Sequence, residues 1–255
     1  MVANQSTDTT TSSFDGFTEA AYAAILVDLK RNYTCQTFGS NAEGRHALWR
    51  HDIDCSVHRA AALARIEHDA GIKATYFFML HSEFYNLLEG PVLERARRIL
   101  EHGHHAGLHF DLNFYDLPPG DLDVIERKLG DEKRILEDAL GSPVDVFSFH
   151  NPDIGNALQY DQDRMAGMIN TYGRRLREDY QYVSDSNGLW RFDPLPSIVR
   201  DAKAEKLHVL THPVWWTPTA MSPRARIARC VDGRAADTLR GYDELLAQHE
   251  RPNVT

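Results

Sequence analysis

The 255-residue sequence has little of what marks several classes of protein. Its three cysteines, Cys35, Cys55 and Cys230, form no C-x-x-C pair, so the chain offers no disulfide framework and is typical of a reducing cytosol. The longest uninterrupted apolar run covers residues 20–27, whereas a membrane-spanning helix needs about 18 apolar residues. We therefore expect a cytoplasmic protein that does not insert into a membrane.

Positive charge is also scarce. Against 37 Asp and Glu the chain has 28 Lys and Arg, a formal net charge of −9, which argues against a nucleic-acid partner bound through its phosphates. The sequence has no G-x-G-x-x-G, no Walker loop and no G-x-S-x-G, so a nucleotide cofactor and serine hydrolysis have no support. Hydrophobic residues make up 42%, which excludes a disordered chain.

The pattern that is present alternates strands with helices. We predict an arm without regular structure at residues 1–14 and one domain at residues 15–255. Repeated βα units give a parallel sheet, so the expected fold is α/β, a single distorted (β/α) barrel of about seven strands. The predicted strands are 46–51, 73–80, 104–110, 144–150, 180–184 and 207–211, and the predicted helices are 57–70, 91–102 and 121–140.

Acidic and histidine side chains collect where these strands end. The first strand leads into Asp52 and Asp54, and the later ones end near His109, His150 and His212. In parallel α/β folds the carboxyl ends of the strands meet at one edge, so these side chains should lie together. Aspartate is a poor strand former, and a metal ion would explain a pair of aspartates two residues apart. One histidine at a strand end is more often structural, but a cluster favours an active site.

Other residues allow more than one interpretation. His105 and His109 have the spacing of two zinc ligands on a helix, but the glycines around them predict a strand instead. Arg174 and Arg175 are either a substrate-phosphate site or, more simply, a solvated helix face. Trp215 near the rim either stacks on a sugar ring or packs in the core.

Several segments together resemble the polysaccharide deacetylase (NodB-homology) family of carbohydrate esterases, in its Asp-x-Asp form. They are Arg50-His-Asp-Ile-Asp54, Ala74-Thr-Tyr-Phe-Phe78, Gly103-His-His-Ala-Gly-Leu-His109 and Leu210-Thr-His212, and the match covers about residues 45–215. The HDID, HNP and SDS signatures are similar to the WbmS-like subgroup, which is associated with surface-polysaccharide assembly. The resemblance implies a NodB-like barrel with one divalent metal ion, zinc first and other transition metals as alternatives.

For the metal, the resemblance implies Asp54 and His109 as ligands. The family's second histidine would fall at position 113, where this chain has Asn113. The third ligand is therefore open between Asn113, Asp111 and His150.

For catalysis, the resemblance implies Asp52 as base, His212 as acid and Asp185 as the acidic residue that supports the site. His150 stands where many members have an arginine that orients the base. We expect His150 and Asn151, with Arg50 and Trp215, to contact the substrate.

The implied reaction is removal of an N-acetyl or N-formyl group from an amino sugar, lipid-linked or nucleotide-linked, as a precursor of a surface polysaccharide. Two alternatives stand beside it. One is a sugar-binding barrel of the same fold with impaired catalysis, motivated by Asn113 and His150. The other is a metal-dependent amidohydrolase acting on a non-sugar amide. The oligomeric state is not predicted.

Overall fold

The computed structural model describes residues 16–116, 120–190 and 193–254, and the arm predicted at residues 1–14 lies outside these ranges. The described strands are β1 Thr34–Gln36, β2 His46–Ile53, β3 Thr75–Phe78, β4 His105–Phe110, β5 Val144–Phe149, β6 Arg164–Met165, β7 Met168–Asn170, β8 Gln181–Ser184 and β9 Lys206–Thr211. The described helices are α1 Glu19–Asn32, α2 Val57–Ala70, α3 Gly90–Glu101, α4 Leu122–Leu140, α5 Arg174–Asp179, α6 Leu195–Asp201 and α7 Pro223–Gln248. The α/β prediction is confirmed.

One sheet organises the fold. Its hydrogen-bonded path runs β6-β7-β5-β4-β3-β2-β9-β8, with β1 added beside the first half of β2. All pairs are parallel except β6 with β7. Within the described ranges no ladder joins β6 to β8, so the curved sheet is a barrel left open at that seam. The carboxyl ends of β2, β4, β5 and β9 come to one edge.

Capping residues set the bounds of the helices. The Ser56 side chain accepts the Arg59 N–H and starts α2, and Asp121 does the same for α4 through the Val124 N–H. Gly71 and Gly141 end these helices with φ of 72° and 67°, a left-handed conformation that favours glycine. The structure thus confirms two helix ends that the sequence predicts.

Strand β2 is buried along its whole length although it carries several polar residues. Because side chains alternate across a strand, His51 points to the helix layer, where its Nε2 lies 2.6 Å from Glu67 Oε1. Asp52 points to the other face, toward Ser148 of β5. Both faces of β2 therefore hold hydrogen-bonded polar groups, one set among the helices and one at the candidate site.

Helix α7 packs loosely, since Arg226 is its one buried residue among those described. None of the helices in the described ranges combines the length and the apolar character that a bilayer crossing requires.

Candidate metal centre and active site

Three side chains, Asp54, His109 and His150, converge at the edge of the sheet where the carboxyl ends of the strands meet. We call them the cluster. Nε2 of His109 lies 3.0 Å from Oδ1 of Asp54, and Nδ1 of His150 lies 3.1 Å from the same His109 nitrogen. His150 Nδ1 is 3.7 Å from Asp54 Oδ1. One ligand atom of each residue thus falls within 4.8 Å of the other two. They border a cavity of about 400 Å³.

The environment of His109 fixes which ring nitrogen faces the cluster. Its Nδ1 lies 2.8 Å from the Ser148 hydroxyl, and that hydroxyl lies 3.5 Å from Oδ1 of Asp52. The chain of bonds is satisfied when Nδ1–H donates to Ser148 and Ser148 donates to Asp52. His109 then presents the Nε2 lone pair, as a metal ligand must.

His150 has a comparable support. The Asn151 amide lies 2.8 Å from Nε2 of His150. An amide can present either its oxygen or its nitrogen at that position. With the oxygen presented, His150 donates through Nε2 and keeps the lone pair of Nδ1 for the cluster.

A histidine and aspartate pair lies next to the cluster. His212 Nδ1 lies 2.6 Å from Oδ1 of Asp185, while its Nε2 faces Asp54 Oδ2 at 3.8 Å. Asp185 is fully buried and also accepts the His212 backbone N–H and the Trp216 indole N–H, each at 3.0 Å. Since these bonds hold both the ring and its partner, the Nε2 atom of His212 is fixed toward the cavity.

The second carboxylate, Asp52, is held in place by Arg50. Arg50 Nη2 donates to its Oδ2 at 2.9 Å and to the Tyr172 hydroxyl at 3.0 Å. The guanidinium lies between the rings of Phe77 and Tyr172, 5.3 and 5.1 Å from their centroids. Burial would lower the pKa of Arg50, but Asp52 and Tyr172 outweigh it and raise the pKa. Asp52 therefore sits in the cavity beside a permanent positive charge.

Charges within the cluster oppose the effect of burial. Burial would raise the pKa of Asp54, but His212, His109 and His150 together hold it well below its ordinary value. Burial would lower the pKa of His212, but Asp54 and Asp185 raise it to about 9. Burial and the neighbouring His109 lower the pKa of His150, so this imidazole is neutral at pH values where a ligand must be.

The residues present fit a divalent metal ion. Oδ1 of Asp54 is buried and satisfied by no hydrogen bond within the described residues, although two imidazole nitrogens point at it. One carboxylate and two imidazoles with a cavity beside them match the ligand set of catalytic zinc sites, which keep one position open. Asp54, His109 and His150 would hold the ion.

Some of the other predicted residues line the cavity and others do not. Asn113 is exposed on the 3₁₀ helix Leu112–Tyr115 and is not among the residues that line the cavity. Trp215 is half-buried behind Gly188, also away from the cavity lining. Asn151 lines the cavity, whereas Arg50 is fully buried and serves Asp52. Arg174 is exposed and paired with Asp161, as expected for a solvated helix face.

Sequence reasoning missed three contributors, Ser148, Tyr172 and Tyr182. Ser148 bridges His109 and Asp52, and both tyrosines line the cavity. Ser148 had a signal in the sequence, because it lies two residues before His150 in the predicted strand 144–150, so the two side chains are expected on the same face. Tyr182 had a similar signal, because it lies two residues before the end of the predicted strand 180–184, whereas Tyr172 lies outside every predicted strand.

The third ligand can be tested directly. We expect His150→Ala to weaken zinc binding by about 10-fold or more, because it removes one of three ligand side chains. Asn113→Ala should leave the affinity unchanged. Competition with a chromophoric chelator measures both variants. The reverse ranking would contradict His150 as the third ligand and favour Asn113, another of the three candidates that the sequence leaves open.

Comparisons with known proteins give structural likeness alone. No protein-family model and no curated protein matches the chain. Among solved structures, a CE4 family pseudoenzyme from Bacillus anthracis, in a mutant with restored activity, has 16% identity and a TM-score of 0.41 over 75% of this chain. The match spans 63% of that protein's length, so part of it has no counterpart here.

Two further structures are similar. A family 4 acetyl xylan esterase from Clostridium thermocellum, solved with cobalt, has 12% identity and a TM-score of 0.41, over 81% of this chain and 92% of that one. A peptidoglycan deacetylase from Bacillus subtilis has 15% identity and a TM-score of 0.41, over 81% and 98%. At such values only the side chains of this chain can indicate its function.

Proposed function

We propose that the protein is a metal-dependent hydrolase that removes an N-acyl group from an amino sugar. The observation that carries the proposal is the convergence of Asp54, His109 and His150 beside the fixed His212 and Asp185 pair. The three possible metal ligands alone would suit a structural site, and a His–Asp pair alone would suit many roles. Their combination around one cavity, with a second carboxylate at Asp52, suits hydrolysis of a bond with a poor leaving group.

A divalent ion in the cluster would supply a Lewis acid that polarises the acyl carbonyl and makes water more acidic. Asp52 accepts the proton of the attacking water, and Arg50 and Ser148 hold its carboxylate in place. His212 donates a proton from Nε2 to the leaving amine, because an amine leaves poorly without one. Asp185 keeps that histidine in the required tautomer and stabilises its positive charge.

The substrate class follows from the resemblance and is compatible with the cavity. Tyr172, Tyr182 and Asn151 border the cavity and offer aromatic faces and amide hydrogen bonds, which sugars use in binding. We propose an acetamido or formamido sugar, a nucleotide-linked precursor of a surface polysaccharide, as the substrate. Zinc is the proposed metal and the cytoplasm the proposed location.

The test combines metal analysis with an amine-release assay. Purified protein is stripped with a chelator, reloaded with zinc, cobalt or manganese, and incubated with acetamido and formamido sugars, free and nucleotide-linked. We expect one ion per chain and amine release that depends on it. Stoichiometric metal without release from any sugar would favour the sugar-binding alternative, and release from simple amides alone would favour the non-sugar amidohydrolase.

The proton-donor role of His212 gives a separate prediction. We expect His212→Gln to lower kcat on the amide substrate by about 10²- to 10⁴-fold, the usual contribution of a general acid. Bound metal should stay stoichiometric. A nitrophenyl ester of the same acyl group should be hydrolysed almost as fast as by the wild-type protein, since nitrophenolate leaves without a proton. Equal losses on ester and amide would contradict an acid role.

A further inference from the structure

A second cavity, of about 450 Å³, lies outside the sheet next to the candidate active site. The start of α2, the loop after β3, the first half of α3, the segment after β9 and the first part of α7 enclose it. We call it the arginine cavity, after the six arginines in its lining: Arg59, Arg95, Arg226, Arg229, Arg234 and Arg240.

Helix α7 supplies most of this charge from one face. Its lining residues fall at positions 226, 229, 230, 233, 234, 237 and 240, spacings of three and four that keep side chains on one stripe. Arginine on one stripe of a loosely packed helix contributes little to a core. A stripe that faces a cavity is in place to meet a ligand.

The positive charge of the arginine cavity is only partly neutralised. Salt bridges join Arg59 to Glu19 and Arg234 to Glu89, and another joins Arg240 to Asp237. Within the described residues, Arg95 and Arg229 have no carboxylate at ion-pair distance. This surplus occurs in a chain whose formal net charge is −9.

The surplus of positive charge affects the pKa of a histidine in the cavity lining. Burial lowers the pKa of His58, and Arg95, Arg59 and Arg229 lower it further, against a smaller opposing effect of Asp237. The first turn of the 14-residue helix α2, which includes His58, borders the cavity as well. Its N-terminus adds a partial positive charge.

Part of the cavity wall is apolar. Val57, Phe84, Val92 and Val214 line it. A cavity that combines arginines with aliphatic and aromatic side chains in its lining suits an amphipathic anion. The positive charge of the arginines would repel a divalent cation.

We propose that the arginine cavity binds a small organic diphosphate, with the diphosphate against Arg95 and Arg229 and the organic part against Val92 and Phe84. Two chain segments connect this cavity to the candidate active site, because Cys55 follows Asp54 and Val214 lies two residues after His212. Binding of a diphosphate in the arginine cavity does not depend on the proposed hydrolysis.

Titration calorimetry with three probes tests the proposal: inorganic diphosphate, uridine diphosphate and geranyl diphosphate. EDTA is present throughout, so that no divalent ion held by Asp54, His109 and His150 contributes to binding. We expect saturable binding of at least one organic diphosphate, tighter than that of inorganic diphosphate. Preference for the uridine compound would assign a nucleoside ligand, and preference for the geranyl compound an isoprenoid one. No saturable binding of any probe would overturn the proposal.

Variants locate the binding. Arg229→Gln and Arg95→Gln should each weaken it by about tenfold, the equivalent of one charge-assisted hydrogen bond. Arg224→Gln is the matched control, since Arg224 is an exposed residue of the same helix outside the cavity lining. Wild-type affinity in both cavity variants, or equal losses in the control, would overturn the proposal. Amine release by the cavity variants on a free acetamido sugar should equal that of the wild-type protein, which separates this result from the proposed hydrolysis.

Discussion

Replacement of Asp54 by alanine should abolish both the stoichiometric binding of a divalent ion and the release of amine from the substrate. Asp54 is the one carboxylate among the three clustered ligands, and its buried Oδ1 lies opposite both imidazoles. Without it, two neutral nitrogens remain, too few to retain the ion against a weak chelator. Loss of the ion removes the carbonyl polarisation on which the reaction depends, so we expect no measurable turnover. Elemental analysis after dialysis and the amine-release assay measure the two effects.

Two other variants make the result specific. Asp54→Asn keeps an oxygen of the same reach without the charge, so it should bind zinc more weakly than the wild-type protein and more tightly than Asp54→Ala. Asp145→Ala removes an exposed carboxylate from β5 and should behave as wild type. Full activity of metal-free Asp54→Ala would refute the proposed function.

The strands and helices that the sequence predicts well are those with a long pattern. Helix 57–70 has the predicted bounds, and β2, β4, β5 and β9 start and end within two residues of the prediction. Strands β1, β6 and β7 have two or three residues and are too short to show alternation. Helix α7 was not predicted, because its contact face carries arginines where a helix normally shows apolar residues.

The sequence could predict the part of the candidate site that is formed by residues at strand ends. Asp54 and His212 could be placed near each other because parallel strands end at one edge. The position of His150 depends on the pairing of β4 with β5, where His109 lies opposite Ser148 after a shift in register. No local pattern encodes that shift, and for this reason the third ligand remained open.

The role of Arg50 had a signal in the sequence. Arg50 and Asp52 stand two residues apart on one strand, so they share a face, and Arg50 lies deeper in the sheet. A fully buried arginine needs a partner, and Asp52 was the nearest candidate. The expectation that Arg50 contacts the substrate leaves out the burial of the strand that carries it.

Glu67 is expected to have the largest effect on stability. It is fully buried between α2 and the sheet, accepts hydrogen bonds from Tyr22 and Tyr76, and lies against His51. Glu67→Ala should lower the free energy of unfolding by about 3–5 kcal/mol, the usual effect of removing one member of a buried pair. Asp69→Ala, an exposed acid on the same helix, should change it by less than about 0.5 kcal/mol. Urea unfolding followed by circular dichroism measures both, and similar values for the two variants would contradict the prediction.

The pH dependence of stability isolates the charge of Glu67. Burial would raise its pKa, but His51, His104 and Tyr22 outweigh burial and hold the pKa below the ordinary glutamate value. A lowered pKa in the folded state means that the ionised form stabilises the fold above the unfolded pKa of about 4.3, and that this stability is lost as pH falls through the folded pKa. Glu67→Gln cannot titrate, so its deficit relative to the wild-type protein should stay nearly constant from about pH 7 to about pH 5 and should shrink as pH falls below about 4.3. A deficit that stays constant below about pH 4.3 as well would mean that hydrogen bonding and packing at Glu67, and not its charge, stabilise the contact between β2 and α2.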